Sequence, residues 1–162
     1  LLMADYLFKQ GSNINFISSK TQSKKDIENN GYKCQLIKML GVIPENALSR
    51  KLKNVVISDI NSSKIFESQS IYKNYISSLH SQADLLVTFE DMHDYPYTAD
   101  IIIIPYCGAE NISLTKKNKK NVYLLGSRFF PLKKEFKIKT TNEILYSKLF
   151  RKIFRKKLKI FL

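Results

Sequence analysis

Short runs of apolar residues alternate with longer polar segments along most of the chain. Four of these runs are almost entirely apolar, at residues 54–59, 84–90, 100–105 and 122–125. A strand that is apolar at nearly every position is typical of a sheet covered on both faces, and sheets of that kind are usually parallel. A helical spacing of apolar residues in 62–78 separates the first two runs. The pattern therefore predicts a parallel sheet with helices on either side rather than a β-sandwich.

The amino-terminal part shows the same alternation of helix and strand. Residues 1–10 carry apolar side chains at 1, 2, 3, 4, 7 and 8, which places them on one side of a helix, and Gly11 is a stop signal. Residues 13–18 predict a strand, residues 22–30 a helix and residues 33–37 another strand. Because no N-cap precedes the first apolar run, we expect an upstream strand and loop to lead into this helix.

Length and composition place the chain among single globular domains. It has 162 residues, of which 44% are hydrophobic and 25% charged, with 5 Gly and 4 Pro. These proportions exclude disordered, collagen-like and disulfide-stabilised chains. No apolar run reaches the roughly 18 residues that span a bilayer, and no cleavable leader is visible, so we expect a cytoplasmic protein. Cys34 and Cys107 are far apart in sequence and are predicted to be small buried residues.

The net charge of +13 is concentrated in the C-terminal third of the chain. Residues 115–162 hold 16 Lys and Arg and 2 acids, whereas the first 114 residues hold 11 basic and 12 acidic side chains. A basic face suits nucleic-acid binding, but no zinc-finger spacing, aromatic RNA-binding motif or basic heptad accompanies it. The composition, rich in Lys and Asn, is also typical of an AT-rich genome, so we expect no nucleic-acid partner.

Carboxylates follow the predicted strands at the positions where parallel sheets bind ligands. Ligands lie beyond the carboxyl ends of such strands, and the residues at or just after these ends are Asp59, Glu90, Asp91, Pro105 and Tyr106. A carboxylate there can accept hydrogen bonds from sugar hydroxyls. Alternatively, it caps the next helix or binds nearby backbone amides. Both interpretations remain open, and Glu90 and Asp91 point to opposite faces if both are extended.

Two histidines complete the set of candidate groups. His93 follows the acidic pair and is a candidate general base. His80 ends a predicted helix, where it interacts favourably with the helix dipole. The chain has no Ser-His-Asp set, HExxH, P-loop or GxGxxG motif. We therefore predict that Asp59, Glu90, Asp91 and His93 contact substrate, with no metal and no cofactor, and we assign no catalytic residue.

Several segments resemble a family of sugar-nucleotide enzymes. The segment LLVTFEDMHDYPYTADIIIIPYCGAEN, residues 85–111, resembles one in which a strand ends in Phe-Glu-Asp and an Ala-Asp opens the next strand. The segment YLLGSRFFPLKKEF, residues 123–136, resembles the signature that follows it, and residues 2–18 and 55–63 resemble earlier elements. The family comprises spore-coat polysaccharide biosynthesis proteins and the nucleotide-sugar hydrolase of pseudaminic acid synthesis. Both are related to the lipid-linked muramoyl-peptide glycosyltransferase.

The resemblance implies an architecture of two Rossmann-like lobes, called GT-B, with the active site in the cleft between them. The donor nucleotide would be held mainly by the C-terminal lobe. Residues 1–141 would then form the N-terminal lobe, and residues 142–162 a connecting helix and the first strand of a second lobe. Asp59, Glu90 and Asp91 match positions of this family.

The resemblance also implies a function for the chain. It would be the N-terminal, acceptor-side domain of a UDP-sugar hydrolase or glycosyltransferase of surface polysaccharide or nonulosonic acid synthesis. The family's glycine-rich histidine loop and its Gly-Gly-Ser-Asp nucleotide loop are not in this sequence. No catalytic role is therefore carried over, and we expect the chain to be inactive alone. Asp100, Gly126, Leu132, Glu135 and Phe136 match the family as framework residues.

The basic tail, residues 146–162, leaves a second function class open. Its apolar residues at 149, 150, 153, 154 and 158 fall near one helical face with Lys and Arg around them. This pattern is typical of a helix on an anionic membrane, whereas the resemblance implies a connecting helix at 142–155 and a strand at 159–162. The alternative function is thus a non-catalytic binding module whose tail contacts a membrane surface or another polyanion.

Overall fold

The computed structural model describes residues 2–38, 41–48, 53–60, 65–90, 95–111, 120–129 and 159–161, which contain three α-helices and seven β-strands. The helices are α1 (Leu2–Lys9), α2 (Thr21–Asn29) and α3 (Gln69–His80). The strands are β1 (Asn13–Ser18), β2 (Cys34–Leu36), β3 (Asn54–Ile60), β4 (Leu85–Glu90), β5 (Ile101–Ile104), β6 (Val122–Leu125) and β7 (Lys159–Phe161). Short 3-10 turns lie at Glu45–Ala47, Ile65–Glu67, Ala109–Asn111 and Ser127–Phe129.

The seven strands form one parallel sheet. Their order is β2-β1-β7-β3-β4-β5-β6, and each neighbouring pair runs parallel. The chain moves outward from β1 to β2, returns to β3 near the centre, and then moves outward the other way to β6. The connections therefore run in opposite directions from β1 and from β3, the two strands that flank β7. Open parallel sheets bind ligands at such a reversal of strand order. The predicted α/β fold, a Rossmann-like parallel sheet flanked by helices, is confirmed.

Apolar side chains cover both faces of the sheet. Because side chains alternate along a strand, Ile57 and Val87 point to one face while Val56 and Leu86 point to the other. All four residues of β5 are buried, as its unbroken apolar run predicted. The buried residues of the first face, where α1 packs, are Ala4, Leu7, Ile14, Phe16, Cys34, Val55, Ile57, Val87, Ile101, Ile103, Leu124 and Phe129. Those of the second face, where α3 packs, are Ile43, Ala47, Val56, Ile65, Tyr72, Ile76, Leu79, Leu86, Tyr97, Ala99, Ile102, Ile104 and Ala109.

Two helix boundaries follow signals in the sequence. Gly11 has a φ of 80°, a conformation that glycine adopts without steric cost, and its amide donates to the Phe8 carbonyl at 2.9 Å. At the start of α3 the Ser68 hydroxyl accepts a hydrogen bond from the Ile71 amide at 3.2 Å. Helix α1 therefore ends where its glycine predicted, and α3 begins at a capped end.

A tyrosine connects α1 to the segment before β2. The Tyr32 hydroxyl donates to Asp5 Oδ1 at 2.5 Å, and its ring packs against Phe16 with 5.1 Å between ring centroids. Burial, followed by the hydrogen bond to Asp5 and the charge of Asp5, raises the pKa of Tyr32 from 10.0 to about 12. The neutral hydroxyl is therefore the form that the fold favours.

This pKa shift predicts how Tyr32 affects stability at alkaline pH. Its contribution is fully present below pH 10 and is lost as the pH rises through about 12, because the raised pKa means that the folded state disfavours the phenolate. The variant Tyr32→Phe lacks this dependence. We expect wild type to be more stable than Tyr32→Phe at pH 9, with the difference closing toward pH 12, as measured by urea unfolding. A difference that stays constant over this range contradicts the assignment.

The structure bears on two further sequence predictions. Residues 159–162 are predicted to form the first strand of a second lobe. Residues 159–161 do form a strand, β7, and it lies between β1 and β3 of the same sheet. Cys34 is buried as predicted, whereas Cys107 is exposed, because it lies in the turn that follows β5 rather than in the sheet. The predicted helix at 142–155 lies outside the described residues.

Candidate functional site

The carboxyl ends of the parallel strands lie along one edge of the sheet, which we call the carboxyl edge. The strands that define it end at Ser18, Ile60, Glu90, Ile104 and Leu125. Their first residues lie along the opposite, amino edge. Because loops from several strands meet at the carboxyl edge, a ligand is expected there.

Glu90, the last residue of β4, is the most deeply buried acid at this edge among the described residues. It is only 2% exposed, and its Oε1 accepts a hydrogen bond of 2.9 Å from the hydroxyl of Tyr72. Tyr72 lies on α3 and is itself buried. A buried carboxylate is costly without such partners. The Tyr72 hydrogen bond therefore connects α3 to the end of β4 and lowers the cost of burying Glu90.

Aromatic side chains surround this hydrogen bond. The Tyr72 ring stacks on Phe66 with 6.1 Å between centroids and lies 5.8 Å from the ring of Tyr95. The Tyr95 hydroxyl in turn donates to the Phe66 carbonyl at 3.1 Å. Burial raises the pKa of Tyr72 well above its usual value, and the charge and hydrogen bond of Glu90 raise it further. Tyr72 therefore stays a neutral donor throughout the physiological pH range.

Asp59 reaches the same edge by a different route. It lies near the end of β3 beside Phe89 of β4, while the next residue, Ile60, lies beside Glu90. Because neighbouring residues of a strand alternate, the Asp59 side chain points to the face opposite that of Glu90. Asp59 is exposed, whereas Glu90 is buried. The structure thus brings the two predicted carboxylates to one edge but not to one face.

A second tyrosine of α3 reinforces this end of β3. The hydroxyls of Tyr75 and Ser58 form a hydrogen bond of 2.6 Å. Burial raises the pKa of Tyr75, the hydrogen bond to Ser58 opposes this, and the charges of Glu90 and Asp59 add to it. Tyr72 and Tyr75 thus bind the ends of two neighbouring strands, one residue of α3 for each strand.

A further carboxylate lies over the end of β6. Gly126 has a φ of 101°, and a Cβ placed there meets the Glu110 carboxylate, with the Cδ at 3.1 Å. The Gly126 amide donates to the Ile104 carbonyl at 3.0 Å. Glu110, which is exposed, was not predicted as a site residue. The sequence gives no signal for it beyond an acid two residues after a glycine.

The acids of the amino edge have a structural role. Asp84 Oδ2 accepts from the Asn54 amide at 2.7 Å, and Asp100 Oδ2 accepts from the Leu86 amide at 2.8 Å. His80 Nε2 lies 3.0 Å from the Thr98 carbonyl, and its Nδ1 lies 3.9 Å from Asp100 Oδ2. These contacts join strand ends and the end of α3, so they position the sheet rather than a ligand.

The structure describes two of the four remaining predicted residues. Pro105 is buried, and Tyr106, at 38% exposure, lies at the carboxyl edge. Asp91 and His93 lie outside the described residues, so the prediction that they contact substrate stays a prediction. Within the described ranges, no three His, Cys, Asp or Glu side chains are placed to hold a metal ion, and no helix is long and apolar enough to cross a bilayer.

Comparisons with known proteins add no assignment. No protein-family model matches the chain, and no curated protein and no solved structure matches it significantly. A function for the chain is therefore inferred from its sequence, its fold and the geometry of the carboxyl edge.

The exposed acids suit a neutral, hydroxyl-rich ligand. The carboxylates of Asp59 and Glu110 can accept hydrogen bonds from hydroxyl groups, whereas they repel the negative charge of a phosphate. Glu90 is buried, and its Oε1 accepts the Tyr72 hydrogen bond, so it connects α3 to the sheet. Asp59 is thus the predicted substrate residue whose position fits direct contact.

Proposed function

We propose that this chain is the N-terminal, acceptor-side lobe of a GT-B-type enzyme that acts on UDP-sugars. The lobe would serve the synthesis of a surface polysaccharide or a nonulosonic acid, and it would be inactive alone. The reaction of the whole enzyme would be attack by water or an acceptor hydroxyl at the sugar carbon bonded to the nucleoside diphosphate. The diphosphate then leaves with the bonding electrons of the broken carbon–oxygen bond.

One observation carries the proposal: an exposed carboxylate, Asp59, lies at the carboxyl edge, on the strand that follows the reversal of strand order. Ligands of open parallel sheets bind at such reversals. A carboxylate there favours sugar hydroxyls over a diphosphate, which agrees with a lobe that binds the acceptor side and leaves the nucleotide to a second lobe. The resemblance of residues 85–111 and 123–136 to the sugar-nucleotide family supports the same conclusion.

Calorimetric titration with N-acetylglucosamine, a neutral sugar with several hydroxyl groups, tests acceptor-side binding, and incubation with UDP-N-acetylglucosamine tests for turnover. We expect weak binding, with a Kd of about 1 mM, and turnover no faster than the background hydrolysis of the nucleotide sugar. Replacing Asp59 by Asn should weaken binding about threefold to tenfold, since the loss of a hydrogen bond to a charged group costs roughly 1 kcal/mol at an exposed site.

Asp26→Asn provides the matched control. Asp26 is also exposed, but it lies on α2 and accepts a hydrogen bond from the Gln22 side chain at 3.0 Å, away from the carboxyl edge. The Asp26→Asn variant should bind N-acetylglucosamine as wild type does. Absence of binding up to about 10 mM, or equal loss in the two variants, contradicts the proposal, and rapid turnover contradicts the expectation that the lobe is inactive alone.

The concentration of positive charge in residues 115–162 supports a second candidate, a tail that contacts anionic membranes. Because β7 belongs to the sheet, the test leaves residues 158–162 intact. The test variant changes five basic residues to Gln: Arg151, Lys152, Arg155, Lys156 and Lys157.

If this candidate is correct, wild type co-sediments with anionic phospholipid vesicles at low salt and the five-residue variant does not. This is the expected effect of removing charges that each contribute about 1 kcal/mol near such a surface. Vesicles of neutral lipid are the control. Failure of wild type to bind anionic vesicles at low salt eliminates the candidate.

A further inference from the structure

The most unusual feature of the sheet is β7, the third of its seven strands. β7 lies between β1 and β3, with residues 159–161 in register with 13–15 on one side and 54–56 on the other. No direct pairing of β1 with β3 exists among the described residues. The space between them is therefore a slot one strand wide, and residues far along the chain fill its amino half.

The handedness of the crossovers identifies which strand belongs in this slot. Helices α1 and α2 lie on the same face of the sheet, since Ala4 and Leu7 of α1 and Ile27 of α2 share one apolar cluster. Parallel crossovers are right-handed, so two crossovers with helices on one face move in the same direction across the sheet. The α2 crossover moves from β1 to β2. A strand that leads into α1 therefore lies on the other side of β1, which is the place that β7 occupies.

The direction of β7 fits this position as well. Helix α1 ends at Lys9 and is joined by a short turn to the start of β1, so α1 begins near the carboxyl edge. β7 runs parallel to β1, so it also ends toward the carboxyl edge. A short loop from the end of β7 to the start of α1 would complete a strand–helix–strand unit, and loops of this kind are typically 2–6 residues long.

The register matches the chemistry of the segment to that of the slot. Lys159 lies in a row with Asn13 and Asn54, which are polar. Ile160 lies in a row with Ile14 and Val55, both buried in the same apolar cluster. Phe161 lies in a row with Asn15 and Val56, one polar and one apolar. The slot thus calls for a polar residue at the amino edge followed by an apolar one, and Lys159 and Ile160 supply this order.

We propose that the slot between β1 and β3 is a binding surface for a parallel strand, and that residues 159–161 bind there in the position that right-handed crossovers assign to a strand leading into α1. Residues 159–161 can bind there without being joined to the rest of the sheet through residues 130–158. This inference is independent of the proposed function, because it concerns the assembly of the sheet and not its ligand.

A reordered chain tests the proposal. Residues 157–162 are placed ahead of Leu1 through a Gly-Ser linker of four or eight residues, and the chain ends at 156, so that all residues of the protein are kept. We expect the same far-UV circular dichroism as the natural order and a Tm equal to or above it, because a short loop costs less closure entropy than a long connection. The matched control is the reordered chain with Ile160→Pro, since proline cannot donate within a central strand.

The Ile160→Pro control should melt about 10 °C lower than the reordered chain. Equal Tm values for the two would overturn the proposal, because they mean that residues 159–161 do not occupy the slot. Failure of both linker lengths to give a cooperative transition, while the natural order gives one, would overturn it as well, because the segment would then depend on its own connection.

Discussion

Replacing Tyr72 by phenylalanine should lower the free energy of unfolding by about 2 kcal/mol, since hydrogen bonds to charged groups are typically worth about 1.5–3 kcal/mol. The change keeps the ring that stacks on Phe66 and removes only the hydroxyl that donates to Glu90 Oε1 at 2.9 Å. Glu90 then loses a donor while remaining 2% exposed. Urea unfolding at neutral pH measures the loss directly.

Tyr95→Phe is the matched control for this prediction. It removes a hydroxyl from the same aromatic group, but that hydroxyl donates to the neutral Phe66 carbonyl at 3.1 Å in a partly buried position. A loss of about 0.5–1 kcal/mol is expected. If both variants lose the same free energy of unfolding, the Tyr72–Glu90 hydrogen bond has no special structural role. Direct contact with substrate would then again be the interpretation of Glu90.

The second large effect is expected in the sheet itself. Ile102 lies in β5, is 0% exposed, and packs with α3 on the second face. Ile102→Ala leaves a cavity between strand and helix and should lower the free energy of unfolding by about 3–4 kcal/mol. A fall in the urea midpoint with an unchanged m-value identifies this as a loss of packing rather than a change in the unfolded chain.

Val122→Ala in the neighbouring strand is the comparison. Val122 lies at the start of β6 and is 44% exposed, so its substitution should cost less than about 1 kcal/mol. Comparable losses for the two positions would show that β5 is not covered on both faces. That result would contradict the parallel arrangement from which the carboxyl edge was defined.

Much of the sheet could be predicted because local pattern and tertiary burial agree. The alternating residues of β1 and the apolar runs of β4 and β5 predict the burial of their side chains directly, since a central parallel strand has no polar face. β6 lies at the edge of the sheet, so its first residue, Val122, is 44% exposed although it is apolar. Gly11 marked the end of α1 for a local steric reason. The neighbours of strand β7 could not be predicted, because the short segment Lys-Ile-Phe, with two apolar residues, specifies a strand without specifying which sheet accepts it.

The carboxyl edge was predicted more accurately than the contacts within it. The positions of Asp59 and Glu90 follow from where their strands end, and this needs only the strand boundaries. Asp59 is exposed and Glu90 is buried. This difference depends on α3, which places Tyr72 over Glu90. A spacing of three between Tyr72 and Tyr75 was visible as a helix pattern. Which strand each hydroxyl meets depends on packing between elements distant in sequence.

The central claim is that ligands meet this protein at its carboxyl edge, and amide-resolved NMR titration with N-acetylglucosamine tests it most directly. The account predicts that shifts concentrate at the amides of Ser18, Asp59, Glu90 and Tyr106. Shifts concentrated instead at the amino edge, near Asp84 and Asp100, or no shifts at millimolar ligand, would contradict it.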